Sequence, residues 1–134
     1  MKSTSYLLML LVLLLMFCKQ KKVDALNKVI KTDSLSFLSE KWKMDSFGCK
    51  NIRSVQVFES LFKGYVLEQK NEVAFLKVLG SPNKEERFPD KKIVTYYYNS
   101  ICRLNHLIKD SDKSSIVVTF DSQGNYKSHD TIIE

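Results

Sequence analysis

The apolar run from Tyr6 to Cys18 is thirteen residues long, and a KQKK segment follows the cysteine that closes it. A helix that crosses a bilayer needs roughly 20 apolar residues, so this run is too short for a comfortable span. It suits the apolar region of a secretory signal, about 7 to 15 residues behind a positive start, supplied here by Lys2 and the free amino terminus. Residues 19 to 33, KQKKVDALNKVIKTD, mix charge with scattered aliphatic residues and keep no period. They are predicted to form a tether with no more than a turn of helix.

Beyond the tether the pattern becomes periodic. In DSFGCKNIRSVQVFESLF, Ile52, Val55, Phe58, Leu61 and Phe62 recur at steps of three and four behind Asp45, which predicts an amphipathic helix capped by that aspartate. In NEVAFLKVLGSP, Asn71 is a cap, Val73, Leu76 and Leu79 form a stripe, and Gly80 and Pro82 stop a second helix. After a polar loop, NKEERFPD, the β-branched and aromatic segments KIVTYYYNS and SSIVVTF read as strands. The turn DSQGN leads into YKSHDTIIE, a third strand paired to the second as a hairpin. The order is helix, helix, strand, strand, strand, in one domain over residues 35–134, with residues 1–17 as signal and 18–34 as tether.

No small residues precede Lys19 for an ordinary signal peptidase. Leu15-Met16-Phe17-Cys18 instead resembles a bacterial lipoprotein signal, in which a leucine three positions before the cysteine directs lipid onto the thiol. That resemblance implies lipidation of Cys18 and cleavage just before it. The competing reading is an uncleaved signal anchor, with the lysines holding their side in the cytoplasm. The chain has a net charge of +6, and Lys19, Lys21, Lys22, Lys28 and Lys31 crowd the segment after Cys18 against only Asp24 and Asp33. At roughly 1 kcal/mol per lysine near an anionic surface, Lys19, Lys21 and Lys22 are expected to lie along phospholipid headgroups. No nucleic-acid-binding signature accompanies the charge, so nucleic acid is not an expected partner.

With Cys18 lipidated, Cys49 and Cys102 remain, and an oxidising compartment favours one bridge between them. Closing a ring of about 53 residues removes denatured-state entropy worth roughly 4 kcal/mol, comparable to the net stability of a domain this size. Two reduced, buried cysteines are the alternative.

Catalytic groups are sparse. There is no Gly-rich phosphate loop, HExxH or nucleophile elbow. Cys102 and His106 stand four apart and invite a metal or thiolate reading, but only His129 offers a further nitrogen ligand. The expectation is a non-enzyme with no cofactor, metal or small-molecule substrate. Alternation sends Tyr97 to one face of its strand and Tyr96 and Tyr98 to the other. Core packing is the expected use of these tyrosines and covering the edge of the core that of Trp42; as large aromatics are enriched at interface hot spots, Trp42 and Tyr98 are also the candidate partner contacts. Arg53 and Asp45 are predicted to pair at the start of the first helix. The segment CRLNHLIKDSDKS, from Cys102 to Ser114, is predicted to form a surface loop suited to partner-specific contacts.

The helix closing in VLGSPN, the aromatic strand TYYY and the stretch VTFDSQGNY resemble the SmpA/OmlA (BamE-like) small lipoproteins over roughly residues 45 to 133. Trp42, Asp45, Gly48, Cys49 and Arg53 are also similar to the W-x-x-D-x-x-G-C-x-x-x-R opening of small exported lipoproteins of Bacteroidetes type. The resemblance implies an α+β fold of two helices packed on a three-stranded antiparallel sheet, shared with β-lactamase-inhibitor-protein-like modules. It also implies a lipid-anchored interaction module on the periplasmic face of the outer membrane, with an envelope protein as partner. The alternative is an exported inhibitor or small-ligand-binding module of the same fold.

Overall fold

A computed structural model describes residues 33–104, 106–108 and 111–133. Leu35–Glu134 forms one compact unit of α+β architecture. Its helices are α1 (residues 33–44), α2 (Val55–Gly64) and α3 (Glu72–Leu79), with a 3-10 turn at Leu67–Gln69 between the last two. The strands are β1 (Lys84–Arg87), β2 (Lys91–Ser100), β3 (Cys102–Arg103), β4 (His106–Leu107), β5 (Lys113–Asp121) and β6 (Tyr126–Ile132). The main sheet runs β1-β2-β5-β6, antiparallel throughout, while β3 and β4 pair as a separate two-stranded ribbon.

The first helix was expected at Asp45 and differs. Residues 33–44 are already helical, burying Ser39 and Trp42 and half-burying Leu35 and Leu38 at three- and four-residue steps. Residues 45–53 are a loop, because Gly48 and Asn51 hold φ of 68° and 55°, which a helix cannot contain. Asp45 turns its carboxylate onto that loop. Ser54 is the actual cap of α2, its side chain accepting from Val57 N at 3.2 Å. The buried face of α2, Phe58, Leu61 and Phe62, follows the apolar period.

Asn71 caps α3 by accepting from Ala74 N at 3.3 Å, and Gly80 ends the helix at φ 75°. The face that α3 buries is Phe75, Val78 and Leu79, not the expected stripe through Val73, which is 70% exposed. The segment expected as a polar loop contains β1, whose four residues, KEER, are all exposed. A wholly charged edge strand still hydrogen-bonds to its neighbour while discouraging pairing with another chain.

All three helices cover one face of the sheet. Trp42 of α1 meets Tyr96 at 6.4 Å between ring centroids, Phe58 of α2 meets His129 at 5.0 Å, and Phe75 of α3 meets Phe120 at 5.0 Å. Val94, Ile116 and Val118 complete the inner surface of the sheet. Lys92 is buried beside them, ion-paired to Glu72 of α3 and, at 2.8 Å, to Glu85 of β1. Burial works against its charge, but the bonds from the two carboxylates outweigh it and hold its pKa above the ordinary lysine value.

Two outcomes follow from local geometry. A Cβ on Gly48 would sit 2.7 Å from the Tyr98 carbonyl carbon, at a backbone φ that side chains rarely adopt. Gly48→Ala is therefore expected to cost more than about 2 kcal/mol in urea unfolding, and a near-neutral effect would show that the close approach is absent. Separately, the Asp121 carboxylate accepts from Asn125 N at 2.9 Å and Gln123 N at 3.0 Å and lies 3.2 Å from Lys127 Nζ. The Asn125 N–H above all lowers its pKa from 3.8 to about 2. The folded value lies below the unfolded one, so the turn's contribution is complete above 3.8 and is lost as pH falls through about 2. Amide shifts of Gln123 and Asn125 should titrate with a midpoint near 2, and a midpoint near 3.8 would contradict this.

Candidate functional site

One end of the domain is assembled around a buried arginine. Arg53 is 2% exposed, and its guanidinium donates from Nε to Trp42 O at 3.0 Å. Its Nη1 lies within hydrogen-bonding distance of Ser46 O (2.9 Å), Tyr97 O (3.2 Å) and Asn83 Oδ1 (3.3 Å). The guanidinium carbon also lies 4.8 Å from the Trp42 ring centroid and 5.9 Å from that of Tyr96. One side chain thus ties the end of α1, the following loop, the start of β1 and the middle of β2. Burial lowers its pKa to about 10, against the opposing pull of Asp45, so it remains a cation at neutral pH.

Asp45 supports the knot from below. Its carboxylate accepts from Lys50 N at 2.9 Å, Ile52 N at 3.0 Å and Arg53 N at 3.2 Å, which fixes the loop that carries Gly48 and Cys49. Asn83 closes the other side, donating to Ser46 O at 2.8 Å and accepting from Tyr97 N at 2.8 Å. Cys49 is bonded to Cys102 with Cα atoms 5.6 Å apart, so the β3–β4 ribbon is fastened to the same loop.

This fastened end carries an apolar surface. Met44 ends α1 and Phe47 lies in the loop that follows, Ile101, Leu104 and Ile108 lie on and around the ribbon, and all five are exposed. Leu104 is the extreme case, 86% exposed at the ribbon turn with φ 52°. One backbone bond and one side-chain bond hold the ribbon: Ile108 N donates to Ile101 O at 3.1 Å, and the Ser111 hydroxyl donates to Ile108 O at 2.7 Å. Lys50 and Arg103 stand exposed among these residues. Single exposed apolar residues are ordinary, whereas here five share one end, which covalent and buried polar links fasten.

Cys18, Lys19, Lys21 and Lys22 lie outside the described residues. Trp42, read as a cover for the core and as a candidate partner contact, is fully buried: it is the aromatic lid over Arg53 and has no surface to offer a partner. Tyr98 is half-buried against the core, beside the fully buried Tyr96. Tyr97 lies on the outer face of the sheet and lines a hollow of about 380 Å³ with Ile93, Val117 and Ile132. Burial raises the pKa of Tyr96, which donates to Gly80 O at 3.2 Å.

The Cys102 sulfur is in the bridge, and His106 is exposed across the ribbon from Arg103. His129, on strand β6, is held against α2. Its Nδ1 is 2.9 Å from the Tyr126 hydroxyl and its Nε2 is 3.0 Å from Glu59 Oε1, with the Phe62 ring 4.7 Å away. The neutral tautomer that is protonated on Nε2 satisfies both bonds. The pair joins residues 70 positions apart, a separation that no local pattern signals. Among the described residues no group of three or more His, Cys, Asp and Glu is placed to hold a metal, and no helix is long and apolar enough to cross a membrane.

Compared with protein-family models, curated proteins and solved structures, the chain matches none.

Arg53→Leu removes the donors that satisfy several buried acceptors and is expected to destabilise the domain by roughly 3–5 kcal/mol in urea unfolding with the bridge intact. Arg53→Lys should recover less than half of that, since an ammonium cannot span carbonyls on three segments in the plane of a guanidinium. Full recovery by lysine would show that charge, not the fork of donors, does the work.

Proposed function

We propose that the chain is a lipid-anchored lipoprotein of the bacterial envelope that acts as a non-enzymatic protein-interaction module, in outer-membrane assembly or maintenance. The observation that carries the reading is the apolar surface at the bridged end of the domain. Met44, Phe47, Ile101, Leu104 and Ile108 are exposed there on a scaffold fixed by Arg53, Asp45 and the Cys49–Cys102 bond. A structure that holds apolar side chains rigidly in water loses little entropy when a partner covers them. Exposed Lys50 and Arg103 favour a protein recess that is apolar at its floor and carries carboxylates at its rim.

The anchor and compartment rest on the sequence. The Leu15–Cys18 motif, the lysines that follow it and the resemblance to small envelope lipoproteins support lipidation of Cys18 and a membrane-bound chain. A bridge between Cys49 and Cys102 is consistent with an oxidising compartment, such as the periplasmic face of the outer membrane.

The test is a photocrosslinking amino acid introduced at Leu104 in intact cells, with Ser60 on the exposed face of α2 as control. The expected result is one adduct of defined mass from position 104 and none from position 60. The partner is then identified and its affinity for purified protein measured, with Leu104→Asp weakening it roughly tenfold or more. Equal adducts from both positions, or binding indifferent to Leu104→Asp, would remove this surface from the account.

A further inference from the structure

A second hollow lies between α1, the turn after α2, and α3. It is an open cleft of about 340 Å³, within the size range of small-molecule sites. Leu67 and Val78, both buried, form its floor with the half-buried Tyr65 and Ala74. The Ser39 hydroxyl at the floor is already committed, donating to Val78 O at 2.6 Å. The floor therefore suits aliphatic surface and offers little to a sugar or a base.

The rim has the opposite character. Lys43, Lys70 and Lys77 surround the opening with one carboxylate, Glu40, which lies 2.9 Å from Lys43 Nζ. Among the described residues no ion pair engages Lys70 or Lys77, and both are exposed. The rim thus carries two uncompensated cations above an apolar floor. The intervening backbone is costly to hold: Val66, between the lining residues Tyr65 and Leu67, sits at φ 53° and ψ 47°, a left-handed conformation unfavourable for a β-branched side chain. That turn lets both neighbours line the same hollow. Strain of this kind clusters at ligand sites, because only surrounding structure maintains it.

We infer that this cleft binds an aliphatic carboxylate of medium chain length, the chain lying on Leu67, Ala74 and Val78 and the carboxylate between Lys70 and Lys77. The volume matches a single medium-length chain, the floor disfavours polar ligands and the cations select an anionic head. The site is independent of the apolar surface around Leu104 and does not require the interaction proposed there.

The probe is decanoic acid carrying a photoactivatable group at its methyl end, applied to the full chain held in a detergent-free amphipathic polymer. Labelling is expected at Tyr65, Leu67 or Val78, with competition by unlabelled decanoate and much weaker competition by decanol or decyltrimethylammonium. The double variant Lys70→Glu/Lys77→Glu changes only exposed positions, so its thermal transition should be unchanged while labelling falls roughly tenfold or more. Ala74→Trp fills the floor and should abolish labelling; if that variant does not fold, the double variant decides. Labelling that is indifferent to the charge reversal, spread equally to Leu104 and Ile108, or competed equally by the cationic amphiphile would overturn the site.

Discussion

Burial of the Arg53 guanidinium is the constraint on which the domain's architecture depends. A buried cation is tolerated only when its donors are used, and here they reach Trp42 O, Ser46 O, Tyr97 O and the Asn83 side chain, groups from three separate segments. Satisfying them fixes the end of α1 against β2 and holds the 45–53 loop close enough for Gly48 to touch the backbone of Tyr98. The Trp42 and Tyr96 rings close over the guanidinium, so the polar centre and the aromatic core are continuous. The Cys49–Cys102 bond extends this rigidity to the ribbon. The interaction is between layers, helix to sheet, and decides how they sit on each other.

The legible parts of the fold are those that local chemistry determines. Asn71 and Gly80 bracket α3 because a cap and a left-handed stop are local devices. The strands β2 and β5 follow β-branched and aromatic runs, β6 follows the DSQGN turn, and alternation along β2 sorts Tyr96 inward and Tyr97 outward. What was illegible depends on distant partners. Helix α1 exposes Phe37 and Met44 and intersperses lysine and glutamate, so its short buried stripe reads as tether and approach. Asp45 has the chemistry of a helix cap, and only Gly48 and Asn51 in left-handed conformations redirect its carboxylate to three loop amides. β1 is all charge and is a strand only because β2 lies beside it.

The same division holds at the candidate site. Trp42, Asp45, Gly48, Cys49 and Arg53 were conspicuous by type and spacing, and the structure gathers them at one end of the domain. Their work there is internal: Trp42 is a lid, Asp45 a loop fastener, Arg53 a tie between layers. The exposed apolar residues around them are individually unremarkable in sequence, since an exposed Leu104 and a half-buried Leu107 look alike on a short ribbon. The two proposed surfaces, the apolar end for a protein and the lysine-rimmed cleft for an aliphatic carboxylate, both come from tertiary placement. The proposed anchor, in contrast, comes from the amino-terminal sequence alone.

These readings share one premise, that the domain works outside the cytoplasm on a lipid tether, with its last two cysteines joined. The most direct test is the intact mass of the protein extracted from its native membrane without reductant, taken before and after reduction and alkylation. The account predicts a chain beginning at Cys18 with added acyl mass, in which Cys49 and Cys102 become alkylatable only on reduction. A full-length, unlipidated chain with all three thiols free would contradict it, removing both the compartment and the covalent tie that holds the proposed interaction surface in place.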